Sequence, residues 1–350
     1  MPKTYKNLFS GVCSFENLHD AYLKARKGKG YGEDALRFSY NLEENLFKIK
    51  EELETQSYKP DAYKEFHVYD LKKRLIKAPS FRDRVMHHAL CNVIEPVFDK
   101  IFIYDSYACR KGKGTHKGVL RLQKFIRKTN EGYALKCDVV QYFPGIDHEI
   151  LLEVIGRKIK DEKVMRLVEV IVRSSETSSG SKKGLPIGNL TSQLFANIYL
   201  NELDYFVKHK LKVKHYVRYV DDFVILESKH KLREIKAQVI EFLRTLKLEI
   251  HPEKAGIFPG NRGIDFLGCR IFYSHRLLRK SNVKKFIEKL GVLKREYREN
   301  PSSCRKIYQS IASWLGHAKH ADTYNLRKKI FGENPFVFAV YDEVKFNLYF

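Results

Sequence analysis

The stretch Tyr219-Val220-Asp221-Asp222 lies between two strand-forming runs, His215 to Tyr219 and Phe223 to Leu226. Aromatic and β-branched residues are frequent in both runs, so the pattern predicts a tight hairpin with two carboxylates at its tip. Because adjacent strand side chains point to opposite faces, one carboxylate can reach a metal while the other turns aside or shares a second ion. An acidic hairpin tip by itself is usually only a solvated turn, so a further observation is needed to separate the two interpretations.

A third acid, Asp138, provides that observation. It ends the strand-like run that begins at Ala134, and Pro144 and Gly145 mark a turn shortly after it. Two strands that bring carboxylates to one point form a cage for a hard cation such as Mg²⁺, which also takes phosphate oxygens and waters. In a two-metal site the ions lie about 3.5–4 Å apart, one activating the attacking hydroxyl and one stabilising the leaving oxygen. The three acids therefore favour phosphoryl transfer.

The tetrad at 219–222, together with Asp138, resembles the reverse transcriptase family. That resemblance implies an α+β right-hand polymerase fold with fingers, a palm of antiparallel sheet and packed helices, and a helical thumb. It implies an RNA-directed DNA polymerase whose catalytic residues are Asp138, Asp221 and Asp222. It further implies two Mg²⁺ ions, with Mn²⁺ as a substitute, held by these three acids and the backbone carbonyl of Val139.

Blocks of sequence in the order expected for this family predict the domain organisation. Residues 1–60 carry apolar residues at helical spacing and are expected to form an N-terminal helical extension. The fingers are expected at 61–136 and the palm at 137–275, with a fingers insertion around 155–185. Residues 276–350 carry 16 Lys and Arg against 7 Asp and Glu and are expected to form a basic helical thumb along the duplex.

Residues around the nucleotide are assigned through the same resemblance. Arg74, with Lys72 nearby, falls where the family places cations on the triphosphate, and a guanidinium fork binds phosphate oxygens bidentately. Phe143, five residues after Asp138, matches the steric gate that excludes a ribose 2′-hydroxyl, although a phenylalanine is more often a core residue. Gln193 is expected to lie close to the nucleotide.

One departure from the usual family pattern concerns the block Gly184 to Gln193. Most reverse transcriptases have glutamine where this chain has Ile187, and Ser-Pro where it has Ser192-Gln193. These departures resemble the diversity-generating retroelement subgroup, which copies a template RNA into cDNA with errors at adenines. Glutamine offers hydrogen bonds beside the nascent base pair and isoleucine offers only shape, so fidelity is expected to fall. A neutral apolar exchange is the alternative.

Two further segments are expected to contact nucleic acid. The loop before Thr115 combines cations with glycines that allow close backbone approach, and it resembles the template-binding fingers block, with Arg110, Lys111 and Lys113 as contacts. Phe266, Leu267 and Gly268 resemble the primer grip.

Composition agrees with a nucleic-acid enzyme. The chain has 65 Lys+Arg against 42 Asp+Glu, a formal charge of +23, which indicates a polyanionic partner. Template RNA, an RNA/DNA duplex and dNTPs are the expected partners, and the subgroup resemblance adds a small basic accessory protein. Six cysteines without a C-x-x-C pair argue against zinc or disulfides. With no membrane-length apolar run or signal peptide, a cytoplasmic protein of a bacterial, phage or archaeal-type host is expected.

Two alternatives remain open at this point. Within the family, the chain could instead be a group II intron or retron-type reverse transcriptase. In a different class, it could be a non-catalytic RNA-binding scaffold that keeps the fold. Clustered carboxylates argue against a scaffold, because a purely phosphate-binding surface gains nothing from them.

Overall fold

The computed structural model describes residues 3–69, 73–130, 132–174, 182–252, 255–300 and 303–340, apart from the side chains of Tyr69 and Arg74. The chain divides into two compact units. The first unit comprises Met1–Gly114, Lys136–Phe223 and Arg233–Gly256, and the second comprises Thr115–Leu135, Val224–Leu232 and Ile257–Phe350. Because the segments of the two units alternate along the chain, the expected division into fingers, palm and thumb stays a prediction.

Helices and strands both contribute to the fold, as the α+β class predicts. The helices are α1 (Phe9–Cys13), α2 (Phe15–Arg26), α3 (Glu33–Tyr40), α4 (Leu42–Glu54), α5 (Phe81–Asp99), α6 (Thr115–Lys128), α7 (Tyr142–Gly145), α8 (His148–Gly156), α9 (Glu162–Arg173), α10 (Leu190–Tyr205), α11 (Lys229–Thr245), α12 (Lys280–Glu299), α13 (Cys304–Ala318) and α14 (Tyr324–Gly332). The strands are β1 (Lys64–Tyr69), β2 (Lys73–Ala78), β3 (Tyr133–Asp138), β4 (His215–Tyr219), β5 (Asp222–Glu227), β6 (Gly256–Pro259), β7 (Ile264–Phe266), β8 (Cys269–Ile271) and β9 (Arg276–Leu278).

Helix α5 is the centre of the helical part of the first unit. Its N-cap is Ser80, whose hydroxyl accepts a hydrogen bond from the Asp83 backbone N–H at 3.1 Å. The helix packs against α1, α2, α3 and α10, and Val85, Met86 and Leu90 are fully buried there. The N-terminal region is helical as predicted, with a break at Asn41 that separates α3 from α4.

A four-stranded sheet in the order β4-β5-β3-β6 carries the residues of the candidate site. The pairing of β4 with β5 is the hairpin that the sequence predicts. The interior of β5 is buried on both faces, since Phe223, Val224, Ile225 and Leu226 have no exposed surface. This burial explains why β5 has no polar alternation and why its polar side chains, Asp222 and Glu227, lie only at its two ends.

The C-terminal part of the second unit combines the antiparallel sheet β7-β8-β9 with α12 and α13 and with α14. A hydrophobic core includes Phe286, Leu290, Ile307 and Ile311. Trp314 stacks on Phe286 with ring centroids 3.9 Å apart and planes almost parallel. Within the described residues, no helix has both the length and the apolar character needed to cross a membrane.

Candidate active site

The hairpin turn that joins β4 to β5 presents Asp221 and Asp222. Strand β4 ends at Tyr219 and β5 begins at Asp222, so only Val220 and Asp221 form the connection. Val220 adopts a left-handed conformation with φ of 55°. A β-branched residue rarely adopts this conformation, and such strain persists only where surrounding contacts hold it.

Asp138 is the last residue of β3, and backbone hydrogen bonds join this strand end to the segment that follows α11. The His251 backbone N–H donates to the Asp138 carbonyl at 2.8 Å, and the Val140 N–H donates to the Glu249 carbonyl at 2.8 Å. In this antiparallel pattern the intervening residue, Val139, directs its own N–H and C=O away from that segment. Its side chain is buried. The predicted metal-binding carbonyl is therefore not used by this pairing.

Asp138 and Asp222 share one face of the sheet. Lys136 and Asp138 lie two residues apart on β3, so their side chains point to the same face. The Lys136 Nζ lies 3.6 Å from Asp222 Oδ2 on the adjacent strand β5, with both side chains about four-fifths buried. Asp222 therefore faces the same side as Asp138, with a cation beside it.

Two buried side chains interact electrostatically with the acids of the site. Burial raises the pKa of the Cys137 thiol to about 12, Lys236 lowers it, and Asp222 and Asp138 raise it further. Burial likewise raises the pKa of the Tyr142 hydroxyl well above its ordinary range, with Arg218 opposing this and Asp221 adding to it. Both groups are neutral near pH 7, so the charge of the site comes from the carboxylates and the nearby cations.

The side chains alone do not complete the metal site that the sequence predicts. Within the described part of the chain, no group of three or more His, Cys, Asp or Glu side chains is placed to hold a metal ion. The donors are nevertheless all oxygens, namely carboxylates and the Val139 carbonyl. Mg²⁺ is usually held by one or two carboxylates and completed by substrate phosphates and waters. The residues thus fit ions that bind together with a nucleotide.

Phe143 lies directly after the buried Tyr142, whose hydroxyl donates to the Ala196 carbonyl of α10. The Phe143 ring is only half-buried and meets the Tyr142 ring edge-to-face at 5.7 Å. Its carbonyl accepts a hydrogen bond from the Leu185 N–H at 2.9 Å. The backbone at this position is therefore fixed while part of the ring remains accessible.

Ile187 lies beside the strand that contains Arg74. Its carbonyl accepts from the Lys77 N–H of β2 at 3.3 Å, and its side chain is half-buried. The following residue, Gly188, has φ of 121°, and a Cβ there would lie 3.2 Å from Ile76, so glycine permits this approach. Gln193 is exposed on the first turn of α10.

The two cations predicted for the triphosphate are only partly observed. The backbone of Arg74 pairs with Val68 across β1 and β2. Lys72 and the Arg74 side chain lie outside the described residues, so their role stays a prediction.

The predicted template loop requires a correction at Arg110. Its guanidinium donates to Asp99 Oδ1 at 2.6 Å and to the Ile103 carbonyl at 2.7 Å, and only 8% of the side chain is exposed. Arg110 is therefore a structural residue of this loop. The Lys113 ammonium donates to the Tyr104 carbonyl at 2.8 Å and lies 3.4 Å from the Tyr104 ring centroid. Lys111 is exposed and remains the clearer candidate for a template phosphate.

The predicted primer grip is a tight turn between β7 and β8 in the second unit. Leu267 and Gly268 have φ of 49° and 83°, as a hairpin with two left-handed central residues requires. The Gly268 carbonyl accepts from the Arg279 N–H at 3.0 Å. Phe266 has no exposed surface and is therefore a core residue. It does not make the direct primer contact that the sequence predicts. Leu267 and Gly268 are partly exposed.

Sequence reasoning missed three residues that shape the site: Lys136, Asp204 and Arg218. Lys136 pairs with Asp222. Asp204 and Arg218 have no exposed surface and form an ion pair beneath the hairpin turn. The available signal was a charged residue between two apolar or aromatic neighbours, Leu203 and Tyr205 around Asp204 and Val217 and Tyr219 around Arg218. An ion buried among such neighbours requires a partner.

The sheet thus places acids at the turn of the β4–β5 hairpin and at the end of the neighbouring strand β3. The chain matches the profile of the reverse transcriptase (RNA-dependent DNA polymerase) family over residues 63–271, and it belongs to that family. The family resemblance predicted from the sequence is confirmed.

Individual relatives are distant. Protein YkfC of Escherichia coli K12 is 24% identical over 275 residues, which cover 66% of this chain and 71% of YkfC. The group II intron-encoded protein LtrA of Lactococcus lactis is 26% identical over 348 residues, covering 78% of this chain and 57% of LtrA. This chain therefore spans little more than half the length of LtrA. A solved telomerase from Candida albicans aligns with a TM-score of 0.46 and 12% identity, covering 81% of this chain and 59% of that one.

Proposed function

We propose that this chain is an RNA-directed DNA polymerase that uses Asp138, Asp221 and Asp222 as its catalytic acids. The observation that carries the proposal is the shared sheet face of Asp138 and Asp222 beside the hairpin turn. These acids and the Val139 carbonyl would hold two Mg²⁺. When bound, the ions supply Lewis acidity for attack of a primer 3′-hydroxyl on the α-phosphate of a dNTP. Extension of a DNA primer on an RNA template with dNTPs and Mg²⁺ tests the proposal.

The protein groups around the acids support this chemistry. Lys136 offsets part of the negative charge at Asp222, which lowers the repulsion that an approaching triphosphate meets. The buried side chains of Cys137 and Tyr142 are neutral near pH 7, so they add no charge beside the acids. The Asp138 backbone is fixed by its bond to His251. The chain thus contributes rigid placement of charge, which phosphoryl transfer chiefly requires.

Within this activity we assign the chain to a diversity-generating retroelement that produces adenine-mutagenised cDNA with the help of a small basic accessory protein. Ile187 and Ser192-Gln193 support the assignment through the subgroup resemblance. The half-buried apolar side chain of Ile187 adds a physical reason for low fidelity, since it cannot hydrogen-bond to a base or ribose.

A group II intron-type reverse transcriptase is the second candidate, and the similarity to LtrA favours it equally. The two candidates predict different distributions of copying errors in the cDNA. The subgroup resemblance implies errors concentrated opposite template adenine, so an error spectrum without that bias would favour the intron-type candidate. Sequencing cDNA from one template therefore separates them.

The contribution of Ile187 to fidelity is testable by restoring an amide. Ile187→Gln should lower misincorporation opposite template adenine by up to roughly tenfold, because one hydrogen bond contributes about 0.5–1.5 kcal/mol. Ile187→Leu, which changes shape without adding a hydrogen bond, is the matched control and should keep the wild-type spectrum. Equal error spectra for all three proteins on one template would make Ile187 a neutral packing residue.

The gate assignment of Phe143 predicts a change in sugar selectivity. Phe143→Val should raise incorporation of ribonucleotides relative to deoxynucleotides by about 10- to 100-fold, the scale of discrimination by pocket shape. Phe98→Val, which shortens a phenylalanine buried in α5, controls for lost packing and should leave the sugar ratio unchanged. An unchanged ratio in a folded Phe143 variant would assign this ring to packing.

A further inference from the structure

Val220 lies at the centre of the proposed catalytic turn in a conformation that its side chain disfavours. With φ of 55°, this β-branched residue directs the chain from β4 toward Asp221 and Asp222. Rotation of φ back to the common negative range would move both carboxylates. Something outside the turn must therefore hold it.

One contact that restrains the turn comes from Arg218, two residues earlier on β4. Its Nη1 donates to the Val220 carbonyl at 2.9 Å and to Asn197 Oδ1 at 3.3 Å. The arginine main chain is itself fixed, because its N–H donates to the Asp105 carbonyl at 3.0 Å and its C=O accepts from the Tyr107 N–H at 2.9 Å. The guanidinium thus contacts the turn from a residue whose backbone is fixed.

Asp204 of α10 orients the other side of the same guanidinium. Arg218 Nε donates to Asp204 Oδ1 at 2.7 Å, and Nη2 donates to Oδ2, so the pair is bidentate. The Tyr216 hydroxyl also donates to Asp204 Oδ1, at 2.7 Å. None of these three side chains has exposed surface. A planar fork held on one edge by a carboxylate presents its remaining donor in a fixed direction, which here is the Val220 carbonyl.

Charge explains why this arrangement needs both partners. Burial lowers the pKa of Arg218, but the adjacent Asp204 carboxylate outweighs it and keeps the guanidinium charged. An unpaired ion at a site with no exposed surface would be strongly unfavourable, so a variant that removes only one partner would unfold or admit water. An apolar pair of similar volume could replace the ions without that penalty, but it could not donate to Val220.

We propose that the buried Asp204–Arg218 pair is a positioning device that locks the left-handed turn at Val220 and so sets the placement of Asp221 and Asp222. The inference rests on the proposed catalytic role of those two acids. Arg218 is a positioning residue, because it contacts the turn and not the substrate.

The decisive variant is the double substitution Asp204→Leu with Arg218→Met. It should fold, bind RNA and keep its KM for dNTP within about threefold, while kcat falls by about 100-fold, the scale expected when catalytic groups are misplaced by about 1 Å. Mn²⁺ affinity, measured by electron paramagnetic resonance with RNA template, a dideoxy-terminated primer and dNTP present, should also fall. Adding Val220→Asn should restore at least about a tenth of the lost kcat, because asparagine tolerates the left-handed region.

A conservative variant and two controls complete the test. Arg218→Lys keeps the ion pair but lacks the planar fork, so it should fold and still lose most of kcat. Tyr199→Phe removes a buried hydroxyl that donates to the Leu246 carbonyl at 2.7 Å from the same helix α10, and it should behave as wild type in kcat. Tyr216→Phe removes a bond to Asp204 without touching Arg218 and should have a small effect.

Two results would overturn the inference. One is wild-type kcat in a folded double variant or in Arg218→Lys. The other is a loss of kcat that comes with equal loss of folded protein and no rescue by Val220→Asn, which would make the pair a stability element only. Full activity of Asp221→Asn would instead refute the catalytic assignment itself. Failure of the proposed function can therefore be distinguished from failure of the positioning inference.

Discussion

Asp221→Asn and Asp138→Asn should each nearly abolish primer extension while RNA affinity changes by no more than a few-fold. An amide is close to a carboxylate in size but carries no charge, so each variant removes electrostatic stabilisation from the transition state and leaves the basic surface unchanged. The expected loss in kcat is on the order of 10³-fold, the scale of removing one preorganised electrostatic contact. Single-nucleotide extension on a primed RNA template, with RNA binding measured in parallel, checks both statements.

Asp147→Asn is the matched control for these substitutions. Asp147 is a buried carboxylate that caps α8 by accepting from the Ile150 N–H at 3.2 Å and pairs with Lys247 at 2.7 Å. Asparagine is an equally good N-cap, so this variant should lose some stability and retain its extension rate. Extension by Asp138→Asn or Asp221→Asn within tenfold of wild type would contradict the assignment and favour a non-catalytic scaffold.

The features that sequence predicts well here are those encoded by neighbouring residues. The hairpin was predictable because strand-forming runs flank three residues, Val220 to Asp222, that can form only a short turn. The position of Asp138 at a strand end was predictable because a strand-like run ends at this acid shortly before Pro144 and Gly145. Helices of the N-terminal region followed from apolar spacing, but the short helix α1 and the break at Asn41 were not predicted.

The features that sequence predicts poorly depend on partners distant in the chain. Arg110 fits a phosphate-binding pattern of cations and glycines, yet Asp99, eleven residues earlier, captures its guanidinium. Arg218 is in a strand whose other residues predict burial, and its partner Asp204 lies on a separate helix. Phe266 was expected at the primer, but the pattern of β7 does not reveal that this face packs inward. In each case a tertiary contact decides between two roles that the local pattern allows.

RNA affinity should fall steeply as salt concentration rises. The formal charge of +23 indicates an extended phosphate-binding surface, and proteins that contact six to ten phosphates lose about 10³ to 10⁵ in affinity between roughly 50 and 200 mM salt. The slope of log affinity against log salt is the measured quantity, because each neutralised phosphate contributes about −0.9 for a duplex and −0.7 for a single strand.

Two single-charge variants locate the contacts that produce this slope. Lys111→Gln removes an exposed cation from the loop predicted to hold the template and should make the slope shallower by about 0.7 to 0.9. Arg37→Gln removes the same charge from α3, where the guanidinium pairs with Glu33 at 2.8 Å, and should leave the slope unchanged. The net charge falls equally in both variants. A difference between their salt slopes therefore reports a direct phosphate contact and not the overall attraction of the protein for RNA. Equal shifts would indicate diffuse attraction, and a nearly flat wild-type dependence would contradict a phosphate-tracking groove altogether.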